Sequence, residues 1–204
     1  LNSYTGSTSI NDGTLLVSGG LSNRTDIVVR EGAIYELGAD DQVGSIAGSG
    51  EIRLGASRLI AGGDVSTEFR GVASGTGGFT KSGLGTLNLS GANTYSGATV
   101  VDDGTLQISN LLGLGGSLNV TLDGGTIRQS ATVIDPADYL LGSEGGTFNI
   151  DDGIELEISG VLKDADFGTS GGFTKLGLGA LKLSGDGINT YSGSTVVDDG
   201  TLQI

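Results

Sequence analysis

The chain has no cysteine, histidine, methionine or tryptophan, and one proline, Pro136, in 204 residues. Without cysteine it forms no disulfide and no thiolate metal site. Without histidine or cysteine it carries neither a Ser–His nor a Cys–His nucleophile pair. No run of 18 apolar residues is present to cross a membrane as a helix. No series of ten-residue amphipathic strands marks a membrane barrel, and no basic, apolar leader opens the chain. Cations are scarce: 10 Lys and Arg stand against 24 Asp and Glu, a net charge of −14. Such a surface repels phosphate backbones and anionic lipid, so neither nucleic acid nor a membrane is an expected partner. No segment has the 3.6-residue apolar spacing of a helix.

Repetition is abundant. Residues 77–108 read GGFTKSGLGTLNLSGANTYSGATVVDDGTLQI, and residues 171–204 read GGFTKLGLGALKLSGDGINTYSGSTVVDDGTLQI. The second half of the same phrase opens the chain as LNSYTGSTSINDGTLLV, so Tyr4, Tyr95 and Tyr191 correspond. Internal repetition takes precedence over any other fold argument. Leu15 and Val17, Leu106 and Ile108, and Leu202 and Ile204 are apolar residues spaced by two. Period-two alternation marks strands with one buried face. On this register Leu87, Leu89, Val101, Leu106, Ile108, Leu181, Leu183, Val197 and Leu202 point inward, while Asn88, Gln107, Lys182 and Gln203 point to water.

A finer period lies within the long one. Glycines 13, 32, 50, 85, 104, 125, 146, 179 and 200 each open a short strand, in steps of 19, 18, 35, 19, 21, 21, 33 and 21 residues. The two long steps are read as hiding one coil each. A unit of about 20 residues matches one β-helix coil, closed only by its neighbours. Forty glycines suit the tight corners of such a coil. A flexible low-complexity chain is the alternative, but disordered chains lack repeated apolar stripes.

The phrase GGFTKxGxGTLxLSGxNTYSGxTVVxDGTLQI resembles the passenger-associated transport repeat of Gram-negative autotransporter passengers. Two copies are nearly complete; in the last, Asp186 and Gly187 are inserted and Ala180 replaces Thr. The resemblance implies an all-β, right-handed parallel β-helix, and the unit of about 20 residues gives it about ten coils. It implies one continuous segment, residues 1–204, of a longer passenger, outside the cell or on its surface. A cysteine-free passenger also fits export, since no disulfide can form beforehand in the oxidising periplasm.

Along the chain, Val28, Ile34, Leu37, Ile46, Ile52 and Leu54 are core candidates. The pattern sets no register for residues 56–78. Residues 110–116 form a Gly/Leu-rich corner, and Leu118, Val120 and Leu122 alternate as a strand. Residues 131–142, with Asp135–Pro136, read as a turn and a loop standing off the coil. Residues 164–168 make one linker five residues longer than its counterpart between Gly71 and Gly77.

For chemistry, Asp151, Asp152, Glu155 and Glu157, with Arg128 or Lys163, are the candidates for a β-helical carbohydrate-active enzyme. The same residues fit solvent faces and turns, where Asp before Gly bonds local backbone. Gly113–Gly116 lacks the GKS/T of a phosphate loop, and no calcium nonapeptide is present. Lys81 and Lys175 are read as solvated. The recurring tyrosines fit corner packing, with sugar stacking as the alternative. Asp102, Asp123 and Glu144 each precede a coil glycine by two residues. Stacked about 4.8 Å apart, such carboxylates repel by roughly 3 kcal/mol at a dielectric near 20. Water and counterions relieve this in the reading adopted; a bridging Ca²⁺ is the alternative. The expectation is a structural stalk that supports passenger transport, folding and display, with no catalytic, cofactor or metal residue. Neighbouring coils are its partners, and a host or sister-cell ligand would make it an adhesin.

Overall fold

The computed structural model describes residues 2–110, 112–166 and 168–204. Its regular structure is entirely β, and every strand pairing is parallel. A ten-stranded sheet forms the first face: β1 (Thr8–Ile10), β3 (Asp26–Val29), β6 (Ser45–Gly48), β9 (Thr67–Phe69), β12 (Thr86–Leu89), β14 (Thr105–Ile108), β16 (Thr126–Gln129), β19 (Gly146–Ile150), β22 (Phe173–Leu176) and β24 (Thr195–Val197). A seven-stranded sheet forms the third face: β5 (Asp41–Val43), β8 (Leu59–Ala61), β11 (Phe79–Lys81), β13 (Thr99–Val101), β15 (Asn119–Leu122), β18 (Asp138–Leu141) and β21 (Leu162–Asp164).

Between them runs a second face. Its early rungs are β2 (Thr14–Val17), β4 (Ile34–Leu37), β7 (Glu51–Gly55) and β10 (Val72–Gly75); its late rungs are β17 (Val133–Asp135), β20 (Glu155–Ile158), β23 (Ala180–Leu183) and β25 (Thr201–Gln203). The middle rungs are irregular loops, still joined by Tyr95 N–H to the Ala73 carbonyl and Gly116 N–H to the Tyr95 carbonyl. The chain visits the faces in turn, a β-solenoid whose ten first-face rungs span nine turns.

The core is the stack of inward side chains. Leu87 sits over Leu106, and Leu106 over Ile127, in one column; Leu89, Ile108 and Gln129 follow in the next. Leu87, Leu89, Val101, Leu106, Ile108, Leu181 and Leu183 are buried as expected, and Asn88, Gln107 and Lys182 lie outward. Val197 keeps the same column, over Lys175, but is 47% exposed because a last rung is covered on one side only. Toward the C-terminal end a chain of aromatic rings crosses the lumen from the third face to the first. Tyr139, Phe148, Phe173 and Tyr191 stack edge to face at 5.2, 5.5 and 5.4 Å between ring centres. These separations are in the favoured range for ring pairs.

Corners close by backbone approach. A Cβ on Gly71 would fall 1.8 Å from the Gly50 carbonyl oxygen, and one on Gly91 1.7 Å from that of Gly71. Only glycine fits that column.

Several expectations need correcting. Val28 and Ile34 face outward; Ile27, Val29, Ala33 and Tyr35 fill the core instead. In an unbroken apolar run the parity of the strand is not marked, and a one-residue slip exchanges the faces. Leu118 precedes its strand and is 65% exposed, while Val120 and Leu122 are buried. Residues 131–142 do not stand off the coil. They supply β17 and β18, turn sharply at Pro136, and bury Ala137, Tyr139 and Leu141.

Each long glycine step does pass one further rung, β10 in the first and β22 in the second, but it also ends on a different face. Glycines 13, 32 and 50 lead strands of the second face, glycines 85 to 146 lead strands of the first, and glycines 179 and 200 return to the second. The steps of 35 and 33 residues are therefore one turn plus a change of face. The middle sequence repeat is consequently rotated by one face relative to the outer two.

Candidate interaction surface

Most of the carboxylates and cations put forward for chemistry are each tied to an opposite charge across rungs. Arg128 donates from Nε and Nη2 to both carboxylate oxygens of Asp151, at 3.0 and 3.2 Å. Lys163 donates to Asp138 at 2.8 Å, and Lys182 lies 3.1 Å from Glu157. The Lys163 hydrogen bond holds the Asp138 carboxyl below its usual range. Hydrogen bonds from Ser184 and Lys182 do the same for Glu157. Asp152 and Glu155 are exposed without such partners among the described residues. These are strand-face and turn positions, and among the described residues Arg128, Lys163 and Lys182 each face a carboxylate rather than an open site.

The carboxylate ladder is broken. Val101 pairs with Leu122 and Leu122 with Leu141, so Asp102 and Asp123 follow on adjacent rungs and Gly142 takes the next place. Glu144 lies two residues beyond, and its backbone N–H donates to Asp123 Oδ1 at 2.9 Å. Burial first, then the Asp123 carboxylate, raises the pKa of Asp102, while Arg58 opposes the shift. Among the described residues no three His, Cys, Asp or Glu side chains are grouped to hold a metal ion.

Lys81 and Lys175 are not solvated; they are 2% and 0% exposed. Lys81 Nζ donates to the carbonyls of Ser82, Gly83 and Asp103. Lys175 Nζ donates to those of Leu176, Gly177 and Asp199, at 2.7, 2.7 and 3.3 Å. Each ammonium thus closes one turn and ties it to the next coil. Desolvation lowers both lysine pKa values. The overlooked signal is parity: Phe79 and Phe173 point inward, so the residue two further on must do so too.

The tyrosines share a second closure. Tyr95 and Thr99 hydroxyls lie 2.8 Å apart, Tyr191 and Thr195 2.7 Å, and Thr8 donates to Tyr4 at 3.1 Å. The phrase Tyr-x-Gly-x-Thr is therefore a corner clasp in all three copies. Asparagine adds to it: Asn93 Oδ1 accepts the Ala73 N–H, and Asn189 Oδ1 accepts the Leu162 N–H.

Outward, the first face presents a threonine column that glycine counting overlooked. Thr86 pairs with Thr105, then Thr126, Thr147 and Thr174, on five successive rungs. At its end lies a notch of about 290 Å³, lined by Ser143, Glu144, Thr147, Ser170, Thr174 and Ser194 with intervening glycines and Phe173. Ser170 comes from the longer linker of residues 165–172; Phe167 of that linker, and Leu111 of the Gly/Leu-rich corner, lie outside the described residues. No linear motif marks this notch, because four coils contribute to it.

A parallel β-solenoid with no helix among the described residues, assembled from copies of one repeat that clasp their own corners, defines a solenoid repeat protein. The passenger-associated-transport-repeat family matches residues 1–17, 79–108 and 173–204. The chain is 33% identical over 193 residues to the protein called Adhesin BmaC autotransporter from Brucella suis biovar 1 (strain 1330). That match covers 94% of this chain and 5% of the relative. The chain carries the repeat of autotransporter passengers, which with the adhesin relative indicates a protein of the Gram-negative cell surface or exterior. No solved structure matches it.

Proposed function

We propose that this chain is a non-enzymatic rod segment that supports passenger transport, folding and display, and that its outer faces serve adhesion. The observation that carries the rod is the unbroken first-face ladder from Thr8 to Val197, each rung paired to the one before. A finished rung offers backbone donors and acceptors and an apolar floor to the next. An incoming segment that settles there satisfies its polar backbone and buries its inward side chains together. Folding that starts outside the cell then draws the remaining chain outward. The cross-rung pairing of Arg128, Lys163 and Lys182 supports a structural rather than catalytic use of the charged groups. The printed name of the relative supports the adhesive part.

The test is display of the passenger on cells, read by surface protease accessibility, with Leu156→Asp in the core of the second face. Reduced display is expected in proportion to the loss of β-structure in the purified variant. Display at the unaltered level by a variant whose purified form has lost its circular-dichroism signal removes the transport role. Adhesion is tested separately, by comparing host-cell attachment of bacteria displaying the passenger with and without this segment. Equal attachment removes the adhesive role.

A further inference from the structure

We infer that the notch at the end of the threonine column binds one uncharged pyranose unit of a glycan. This rests on the adhesive reading above and gives it a place and a ligand class. The volume, about 290 Å³, is near the lower end of small-molecule sites, about 300 Å³. Its lining is unlike an apolar ligand site. Five hydroxyls, of Ser143, Thr147, Ser170, Thr174 and Ser194, and the Glu144 carboxylate converge on it from three coils. Among the described residues no side-chain hydrogen bond engages those hydroxyls and no ion pair engages Glu144. Hydroxyls nearby are used differently: Ser184 donates to Glu157, Ser192 to Asp164 and Thr169 to the Asp166 carbonyl.

Gly124 leaves the space beside the carboxylate open. A Cβ there would lie 3.0 Å from Glu144 Oε2. The Glu144 backbone is held independently of its side chain, by the hydrogen bond from its N–H to Asp123. A carboxylate with two accepting oxygens suits two adjacent sugar hydroxyls, and serine and threonine hydroxyls can donate or accept as the remaining ones require. No lysine or arginine lines the notch, and the chain carries −14 charges. Sialic acids, uronic acids and sulfated sugars are therefore disfavoured. The 480 Å³ groove on the opposite flank, lined by Glu51 and Arg70, is a poorer candidate because both charges are already paired, to Arg53 and Glu68. A single open polar notch binds weakly; many copies on one cell multiply the attachment.

The experiment is amide NMR titration of the ¹⁵N-labelled chain with methyl glycosides of glucose, galactose and N-acetylglucosamine, and with sialic acid as the anionic control. Saturable millimolar shifts at residues 143–147 and 170–174 are expected with at least one neutral sugar and absent with sialic acid. Glu144→Ala should weaken binding about ten-fold or more, as expected for a hydrogen bond to a charged group. Glu155→Ala, exposed on another face, should leave it unchanged. Circular dichroism of both variants checks that the solenoid remains folded. No saturable shift with any neutral sugar, equal shifts with sialic acid, or binding indifferent to Glu144→Ala overturns the proposal. Cells that still attach fully with Glu144→Ala leave adhesion standing and remove the notch from it. Sugar binding by a segment that confers no attachment overturns the adhesive reading alone.

Discussion

At the scale of single residues, the solenoid depends on what each inward position places over its neighbours. Leu106 is fully buried between Leu87 and Ile127. Leu106→Asp puts an unpaired carboxylate there and should cost several kcal/mol, on the order of the largest single-substitution effects. Urea melts measure it, and a variant as stable as the wild type would falsify the inward register. Lys81 presents the opposite case, a buried donor the fold uses. Lys81→Met preserves most of the volume but leaves the Ser82, Gly83 and Asp103 carbonyls without their ammonium donor. A loss of about 1–3 kcal/mol is expected, the range for buried groups left unsatisfied. An equal or greater melting midpoint for Lys81→Met would show that the ammonium is not a structural clasp.

At the scale of elements, the Tyr-x-Gly-x-Thr clasp recurs in three settings that differ in cover. Tyr95 is fully buried, whereas Tyr4 is 44% exposed. Thr99→Val strands a buried phenol and should cost about 1–3 kcal/mol, while Thr8→Val leaves a hydroxyl that water can reach and should change stability little. Equal effects in chemical denaturation would show that burial does not set the weight of this hydrogen bond. The same element explains how far the sequence could be read. The alternation in TLNL and TLQI, with polar residues between leucines, marks its own parity, and the register there agrees with the structure. Asp-Ile-Val-Val at residues 26–29 carries no such mark, and Val28 is misplaced by one residue. Glycines recur on all strands alike, so they report the coil length but not which face follows; the shifts at 50–85 and 146–179 were invisible for that reason. The notch was invisible too. Thr147 and Thr174 sit in recurring phrases, but their approach to Ser143, Glu144 and Ser194 exists only once the coils are stacked.

At the scale of the whole molecule, buried ionisable groups set the stability against alkali. Burial raises the pKa of Tyr35, Tyr95 and Tyr139, with carboxylates at Asp41 and Asp135 adding to the shift for Tyr35 and Tyr139. All three phenols are essentially inaccessible to water. The unfolded chain loses these protons near pH 10, while the folded rod keeps them. Above that pH the folded state binds more protons than the unfolded one, so stability falls as pH rises. The stabilisation is complete below pH 10 and is lost progressively on the way up to the folded-state values. Lys81 and Lys175 act with the other sign, since desolvation lowers their pKa values. Their contribution rises with pH until the unfolded lysines lose their protons near pH 10.4, and then levels off. Above about pH 11.5, a unit past that value, the tyrosines act alone among these buried groups. Each contributes a slope of about 1.4 kcal/mol per pH unit, so three give about 4. Urea melts at successive pH values above this point should show that decline. Tyr95→Phe lowers stability at every pH by orphaning Thr99, but it should also reduce the slope by about a third, which a purely structural loss would not do. A wild-type stability that stays level through this range, or a slope unchanged in Tyr95→Phe, would mean that the phenols are not held neutral by the stacked coils.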